Sequence, residues 1–259
     1  MISINEIRRT ARLLSVPETT VERDYSQNWL LFGISNSDLK MALKGGTGIR
    51  KMYIENYRFS DDLDFTLLDD RSIEGLESEI RKSISTAKEA SGVGFEDEIN
   101  ISEVENGYVV KTYFRFSGSP NVRLKIKLDL SKKENEIVLL PISETDIIHP
   151  YTDDFKCRVS GYSLKELYSE KIRSLFQRIR PRDLYDIWFL SKKELDVTDL
   201  IKEKFEFKKV SFNLNDLEDR RDKFSNAWGN SLKHQMKEVP DFNNVFADVL
   251  TLLNEIKYQ

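Results

Sequence analysis

Lys44-Gly-Gly-Thr-Gly-Ile-Arg50 and, a short way on, Arg58-Phe-Ser-Asp-Asp-Leu-Asp-Phe65 are the two runs on which the reading of this chain turns. Met41-Ala42-Leu43 reads as a short buried strand feeding a Gly45-Gly46-Thr47 turn, residues 48–55 as a short helix, and Asp62 to Leu68 as a second strand. A Gly-Gly-Thr turn offers unpaired backbone N–H groups and a hydroxyl to phosphate oxygens. Side chains alternate faces along a strand, so Asp62 and Asp64 point one way while Leu63 and Phe65 point to the core. Two carboxylates side by side repel by about 1–4 kcal/mol at 4 Å in water-like to surface-like dielectric. A divalent cation between them removes that cost, and hard oxygen ligands next to phosphates select Mg²⁺ or Mn²⁺.

Working outward, residues 3–15 and 20–35 read as helices, the second with Val21, Tyr25 and Trp29 as an apolar stripe. Glu22, Arg23 and Asp24 then fall on its solvated or ion-paired face. Ile73 to Ala90 is an amphipathic helix. Strands are expected around Ile99–Val104, Tyr108–Phe116 and Val122–Leu130, with Asn106-Gly107 and Ser117 to Asn121 as the turns between them, and another near Ile137–Leu140. In the third strand Val122, Leu124, Ile126, Leu128 and Leu130 alternate with Arg123, Lys125, Lys127 and Asp129. Asp129 is therefore the candidate third carboxylate of a two-metal site.

After about Gly161 only helical patterns remain. Ser163-Leu-Lys-Glu166 is a capping box opening a helix to about Ile179. Pro181 suits the first turn of a helix over 181–192. Further helices are expected at 197–205, 214–237 and 241–257. Lys171 and Arg178, seven residues apart, fall on one helix face and are spaced to clamp a triphosphate. Asp183 and Asp186 share a face of the next helix and can orient them or contact the nucleotide. Residues 165–182 hold six Lys or Arg against two acids, a local basic surplus in a chain whose net charge is −4. The expected class is α+β, with a mixed sheet and flanking helices over 1–160 and a helical domain over 161–259.

Bulk composition sets limits. With 259 residues the chain can form one large domain or two modest ones. The acidic balance supplies no global field toward nucleic acid or anionic membrane, so any polyanion site is a local patch. The single cysteine, Cys157, excludes an intramolecular disulfide and reads as a small buried hydrophobe. No apolar run reaches a membrane span, and the N-terminal residues lack the basic and apolar segments of a signal peptide, so a cytoplasmic location is expected. His149 and His234 lack zinc-ligand spacing. No Walker loop or Gly-x-Ser-x-Gly motif occurs.

Taken together, the Lys44–Arg50 and Arg58–Phe65 runs and the later Glu170-Lys171…Gln177-Arg178…Arg180-Pro-Arg-Asp-Leu-Tyr-Asp186 resemble the AbiEii/AbiGii toxin nucleotidyltransferases, within the DNA polymerase β-like superfamily. Val21-Glu-Arg-Asp-Tyr25 adds to the likeness, which spans about residues 20–190. Thr47 stands where the superfamily usually has Ser, and fourteen residues, 48–61, separate it from Asp62, a longer gap than usual.

The resemblance implies a nucleotidyltransferase domain joined to a helical domain, acting as the toxin of a toxin–antitoxin or abortive-infection system. It implies an NTP substrate, RNA with tRNA acceptor ends as the target class, and a cognate antitoxin. Carried onto this chain, Gly46 and Thr47 form the phosphate-binding turn, and Asp62 and Asp64 are metal ligands; Lys44 and Gly45, beside them, are candidate nucleotide-binding residues. Lys171, Arg182, Asp183 and Asp186 belong to the later catalytic block, beside Arg178, the candidate triphosphate clamp. Rival readings are a protein-AMPylating enzyme and a non-catalytic nucleotide-sensing or RNA- or partner-binding protein.

Overall fold

Alternation of apolar and polar residues builds a seven-stranded mixed sheet in the computed structural model, which describes residues 1–116 and 122–257. In chain order the first elements are α1 (Ile4–Leu14), α2 (Glu18–Ser35), β1 (Met41–Lys44), α3 (Gly45–Gly48) running into a wide π-type turn at Ile49–Tyr53, and β2 (Asp62–Leu67). There follow α4 (Ile73–Ser91), β3 (Gly94–Val104), β4 (Gly107–Arg115), β5 (Leu124–Ser131), β6 (Ser143–Asp146) and β7 (Arg158–Gly161). The sheet order is β3-β4-β5-β2-β1-β7-β6, parallel only where β5 meets β2 and β1 meets β7. The expected turn at Ser117 to Asn121 lies outside the described residues.

The inner face of the sheet carries Leu63, Phe65, Val110, Phe114, Ile126 and Leu128, all buried. Ser72 caps α4 by accepting from the Gly75 amide, and its Leu76, Ile80 and Ile84 join the same core. Two expectations change here. Ile137–Leu140 is not a strand; the amides of Leu139 and Leu140 donate instead to the two carboxylate oxygens of Glu166. The short β6 and β7 escape a periodicity reading because their four-residue runs, Ser143-Glu-Thr-Asp146 and Arg158-Val-Ser-Gly161, are largely polar.

Helix α2 is not the one-sided amphipathic helix its stripe suggests. Its polar residues Glu22, Asp24, Gln27 and Asn28 are buried along with Tyr25 and Leu30. Asp24 survives inside because Arg50 Nε and Lys51 Nζ each lie 2.7 Å from its Oδ1, and Tyr151 donates to Oδ2 at 2.8 Å. Burial alone would raise the Asp24 carboxyl, but the two cations outweigh it and hold it well below the usual carboxylate range. Cys157 is buried beside the Ser35 hydroxyl, and burial pushes its thiol up to about 11.

The chain forms two compact units, residues 1–136 with 141–162, and 137–140 with 163–259. The second holds α5 (Leu164–Gln177), α6 (Pro181–Ser191), α7 (Thr198–Lys208), α8 (Leu214–Glu218), α9 (Arg221–Leu232) and α10 (Phe242–Lys257). Ser163 caps α5 as its capping box requires. The single helix expected over 214–237 is two: the chain tightens where the Arg220 amide bonds Leu217 O, and the helix restarts at Arg221. Lys204, fully buried, bridges Glu166 and Glu170 of α5 at 2.5 and 2.8 Å. Burial works against the Glu170 carboxylate, yet Lys204 and Arg173 hold its pKa down to about 2. Among the described residues no helix is long and apolar enough to cross a membrane.

Two predictions follow from these buried charges. Asp24→Asn leaves Arg50 and Lys51 buried without a counter-charge and should lower unfolding free energy by about 3–5 kcal/mol, read as a reduced urea midpoint. Asp24 and Glu170 both have folded pKa values below their unfolded ones, so their contribution is complete above about pH 4.5 and is lost as pH falls toward 2. Urea midpoints at pH 7 and pH 3 should differ accordingly; equal midpoints would refute that assignment.

Candidate active site

The helix after β1 begins on Gly45 itself, one turn earlier than the sequence suggests. Its first-turn amides, those of Gly45, Gly46 and Thr47, have no preceding helical carbonyl to bond. Gly45 has φ +68°, and a Cβ there would lie 2.2 Å from Asp64 Oδ2. A Cβ on Gly46 would lie 2.7 Å from an Arg58 guanidinium nitrogen and 3.3 Å from Ser60 Oγ. Both glycines are thus required by close neighbours, and one of those neighbours is a candidate metal ligand.

Thr47 is fully buried, and its hydroxyl donates to the Asp62 carbonyl. The hydroxyl expected on a phosphate is engaged in fastening the helix start to β2. The long 48–61 gap is not a loose loop either. Tyr57, Arg58 and Phe59 are buried, and Arg50 donates to the Tyr57 carbonyl. Gln27 of α2 donates to the carbonyls of Ser60 and Asp61 at 3.1 and 3.0 Å, and Arg23, one helical turn earlier, holds the Asp61 carboxylate at 3.1 Å.

Strand register then assembles the carboxylates. Lys44 of β1 pairs with Asp64 of β2, and Asp64 in turn pairs with Asp129 of β5; one step back, Asp62 pairs with Lys127. Paired residues on neighbouring strands face the same side, about 4.8 Å apart. Asp129, chosen on strand position alone, therefore stands abreast of Asp64. Lys44 directs its ammonium to Ser131 and Glu136, both at 2.9 Å. Lys127 Nζ lies 2.6 Å from Asp129 Oδ2. The Asp62 carboxyl is pushed above its ordinary value, first by burial and then by the charges of Asp64 and Asp129, with Lys127 opposing. Among the described residues no three His, Cys, Asp or Glu side chains already converge as a metal-ligand set.

The later block forms its own cluster in the second unit. Lys171 Nζ lies 2.8 Å from both Asp183 Oδ1 and Asp186 Oδ2, and Arg178 Nε lies 2.8 Å from Asp183 Oδ2. Helix α5 stops at Gln177, so Arg178 sits on extended backbone and does not share a helix face with Lys171; it reaches Asp183 from the connection. Burial would raise the Asp183 carboxyl, but Lys171 and Arg178 hold it well below the usual range. Arg182 is half-buried on α6. Sequence reading passed over Arg58, Ser60 and Lys127. The one usable signal was the alternation in β5, which sets Lys127 on the Asp129 face.

Asp129→Asn removes a negative neighbour of Asp62 and releases Lys127 from its partner, so both effects should lower the Asp62 titration midpoint. Carboxyl ¹³C NMR of the metal-free protein tests this, and an unchanged or raised midpoint would contradict the electrostatic coupling.

Against known proteins, no curated protein matches this sequence. Among solved structures, MenT4, a nucleotidyltransferase toxin from Mycobacterium tuberculosis H37Rv, aligns with a TM-score of 0.66 at 17% identity, covering 99% of this chain and 90% of that one. At that identity the likeness is one of fold, and it identifies the sheet and its helices as nucleotidyltransferase-like. An antigenic nucleotidyltransferase-like protein from Paracoccidioides brasiliensis aligns at a TM-score of 0.42 and 13% identity, over 84% of this chain and 95% of that one. Residues 29–251 match the nucleotidyl transferase AbiEii toxin family, a stretch that includes β1, the carboxylate strands and the Lys171 cluster. This chain belongs to the AbiEii family of nucleotidyl transferase toxins of type IV toxin–antitoxin systems.

Proposed function

We propose that this nucleotidyltransferase moves a nucleoside monophosphate from an NTP to a hydroxyl of RNA, with tRNA 3′ ends as the target class, and that it depends on Mg²⁺ or Mn²⁺. The observation that carries the reading is the register of Asp64 beside Asp129, one step from a partly buried Asp62 whose charge is opposed by both. All three donors are hard oxygens, the chemistry that suits Mg²⁺ or Mn²⁺. Asp62, Asp64 and Asp129 are the residues that would hold the cation. When bound, the cation polarises the α-phosphate and lowers the pKa of the acceptor hydroxyl.

The chain's own groups do the rest. The amides of Gly45, Gly46 and Thr47 face phosphate oxygens at a helix start, where unpaired N–H groups favour anions. The acceptor oxygen forms its bond to the α-phosphorus as the bond to pyrophosphate breaks. Lys171 and Arg178 are assigned to the triphosphate, and Asp183 and Asp186 set the position of Lys171. Arg182 is assigned to the same nucleotide-binding block. Membership of a type IV system brings with it a cognate antitoxin, which acts against this toxin in the cell.

The experiment is incorporation of each α-labelled NTP into unfractionated tRNA, with and without Mg²⁺, wild type beside Asp64→Ala. Metal-dependent label in RNA, reduced by at least about a hundredfold in the variant, is expected. Label in protein would replace RNA by a protein acceptor. NTP binding without transfer to either would leave a nucleotide sensor, and equal activity in Asp64→Ala would remove the metal assignment.

A further inference from the structure

We infer that the open face of β4 and β5 is the track along which the RNA acceptor strand reaches the carboxylates. The inference rests on the RNA reading above. Strand β5 presents Asp129, Lys127 and Lys125 on the face away from the core, and β4 presents Val109, Lys111 and Tyr113 on the same side. Register sets Val109 against Asp129, Lys111 against Lys127, and Tyr113 against Lys125. A basic strip thus leads away from the Asp64–Asp129 pair, and its length from Asp129 to Lys125 is roughly 13 Å, four residues of strand rise.

Three features argue that this strip is more than a solvated face. First, Lys111 stands directly across from Lys127, whose charge Asp129 already offsets, so Lys111 adds a positive charge to the strip beyond what Asp129 balances. Second, Lys127 is paired with Asp129, but among the described residues neither Lys111 nor Lys125 has an ion-pair partner, and both are exposed. Third, the acids of the edge strand β3 do not oppose a polyanion: Glu96 and Glu98 are ion-paired with Arg115 and Arg123, Glu103 with Lys132 and Asp97 with Lys88. At the far end of the strip the Tyr113 ring is covered by the Arg123 guanidinium at 3.7 Å, itself paired with Glu96 at 2.8 Å.

A flexible sugar–phosphate strand fits this geometry. Its phosphates contact Lys125 and Lys111 in sequence, and its terminal hydroxyl then falls at the carboxylates. The lysines act as point charges on phosphate oxygens, so the track selects for polyanion and not for base identity.

The test compares wild type, Lys111→Thr/Lys125→Thr and Lys111→Arg/Lys125→Arg. Affinity for 5′-fluorescein-labelled unfractionated tRNA is read by anisotropy across a salt series, and affinity for the incorporated NTP by calorimetry. The Thr pair should weaken tRNA binding by roughly tenfold or more at about 0.1 M salt and make log K against log salt shallower by about 1.4. NTP affinity and melting temperature should stay at wild-type values, and the Arg pair should bind tRNA as wild type does. Unchanged tRNA affinity and slope in the Thr pair, with wild type still labelling RNA, would overturn the track alone. A fall in NTP affinity or melting temperature that accounts for the loss would also overturn it. A wild-type protein that neither binds nor labels tRNA, or labels a protein instead, would overturn the track together with the RNA reading.

Discussion

The parallel register of β2 against β5 is the constraint on which the rest of the site depends. Because side chains alternate, a slip of one residue would send Asp62 and Asp64 into the core and bring Leu63 and Phe65 to the surface. Burial of those two apolar residues therefore fixes where the carboxylates point. The same register sets Asp129 beside Asp64 and Lys127 beside Asp62. Hydrophobic burial, which has no directional preference of its own, is converted by the pleat into a defined arrangement of like charges. The repulsion this leaves at Asp62 is the local cost of setting three carboxylates on one face of the sheet.

Charge inside the protein is handled differently in the two units. In the first, α2 is sunk into the fold with its polar residues matched, and Asp24 is held by cations from the segment that follows the glycine pair. In the second, Lys204 and Lys171 are each gripped by two carboxylates. Isolated buried charges would be untenable, and paired ones are strongly oriented. The Asp24 cluster therefore fixes the direction in which the helix leaves β1, while the Lys171 cluster holds a cation in one place. In both, rigidity comes from electrostatic matching that a core of apolar residues alone would not impose.

Much of this was legible from pattern. Alternation in Val122–Leu130 placed Asp129 on the correct face, and the Ser163 capping box marked the start of α5. What escaped were features set by tertiary context. The burial of Glu22 and Asp24 cannot be read from helical periodicity, because their partners Arg50 and Lys51 lie across a turn. The Thr47 hydroxyl looks like a ligand group in sequence, but only the packing against β2 reveals its backbone partner. Arg58 and Ser60 approach Gly46 through a connection whose path no local rule specifies. The strand expected at Ile137–Leu140 failed for a similar reason: an apolar run of that length is satisfied as well by a carboxylate that receives its amides as by a neighbouring strand.

That same short segment bears on how the protein is made. Residues 137–140 belong to the second unit but are synthesised before β6 and β7, which complete the first. Glu166 and Lys204, which receive and brace the segment, emerge from the ribosome later still. The chain of the first unit is thus interrupted by four residues that belong to the second. In a growing chain, residues 137–140 wait without their amide acceptor until Glu166 has been made. A cut after Tyr162 would release neither unit whole, since each part of the severed chain would lack or retain a piece of the other.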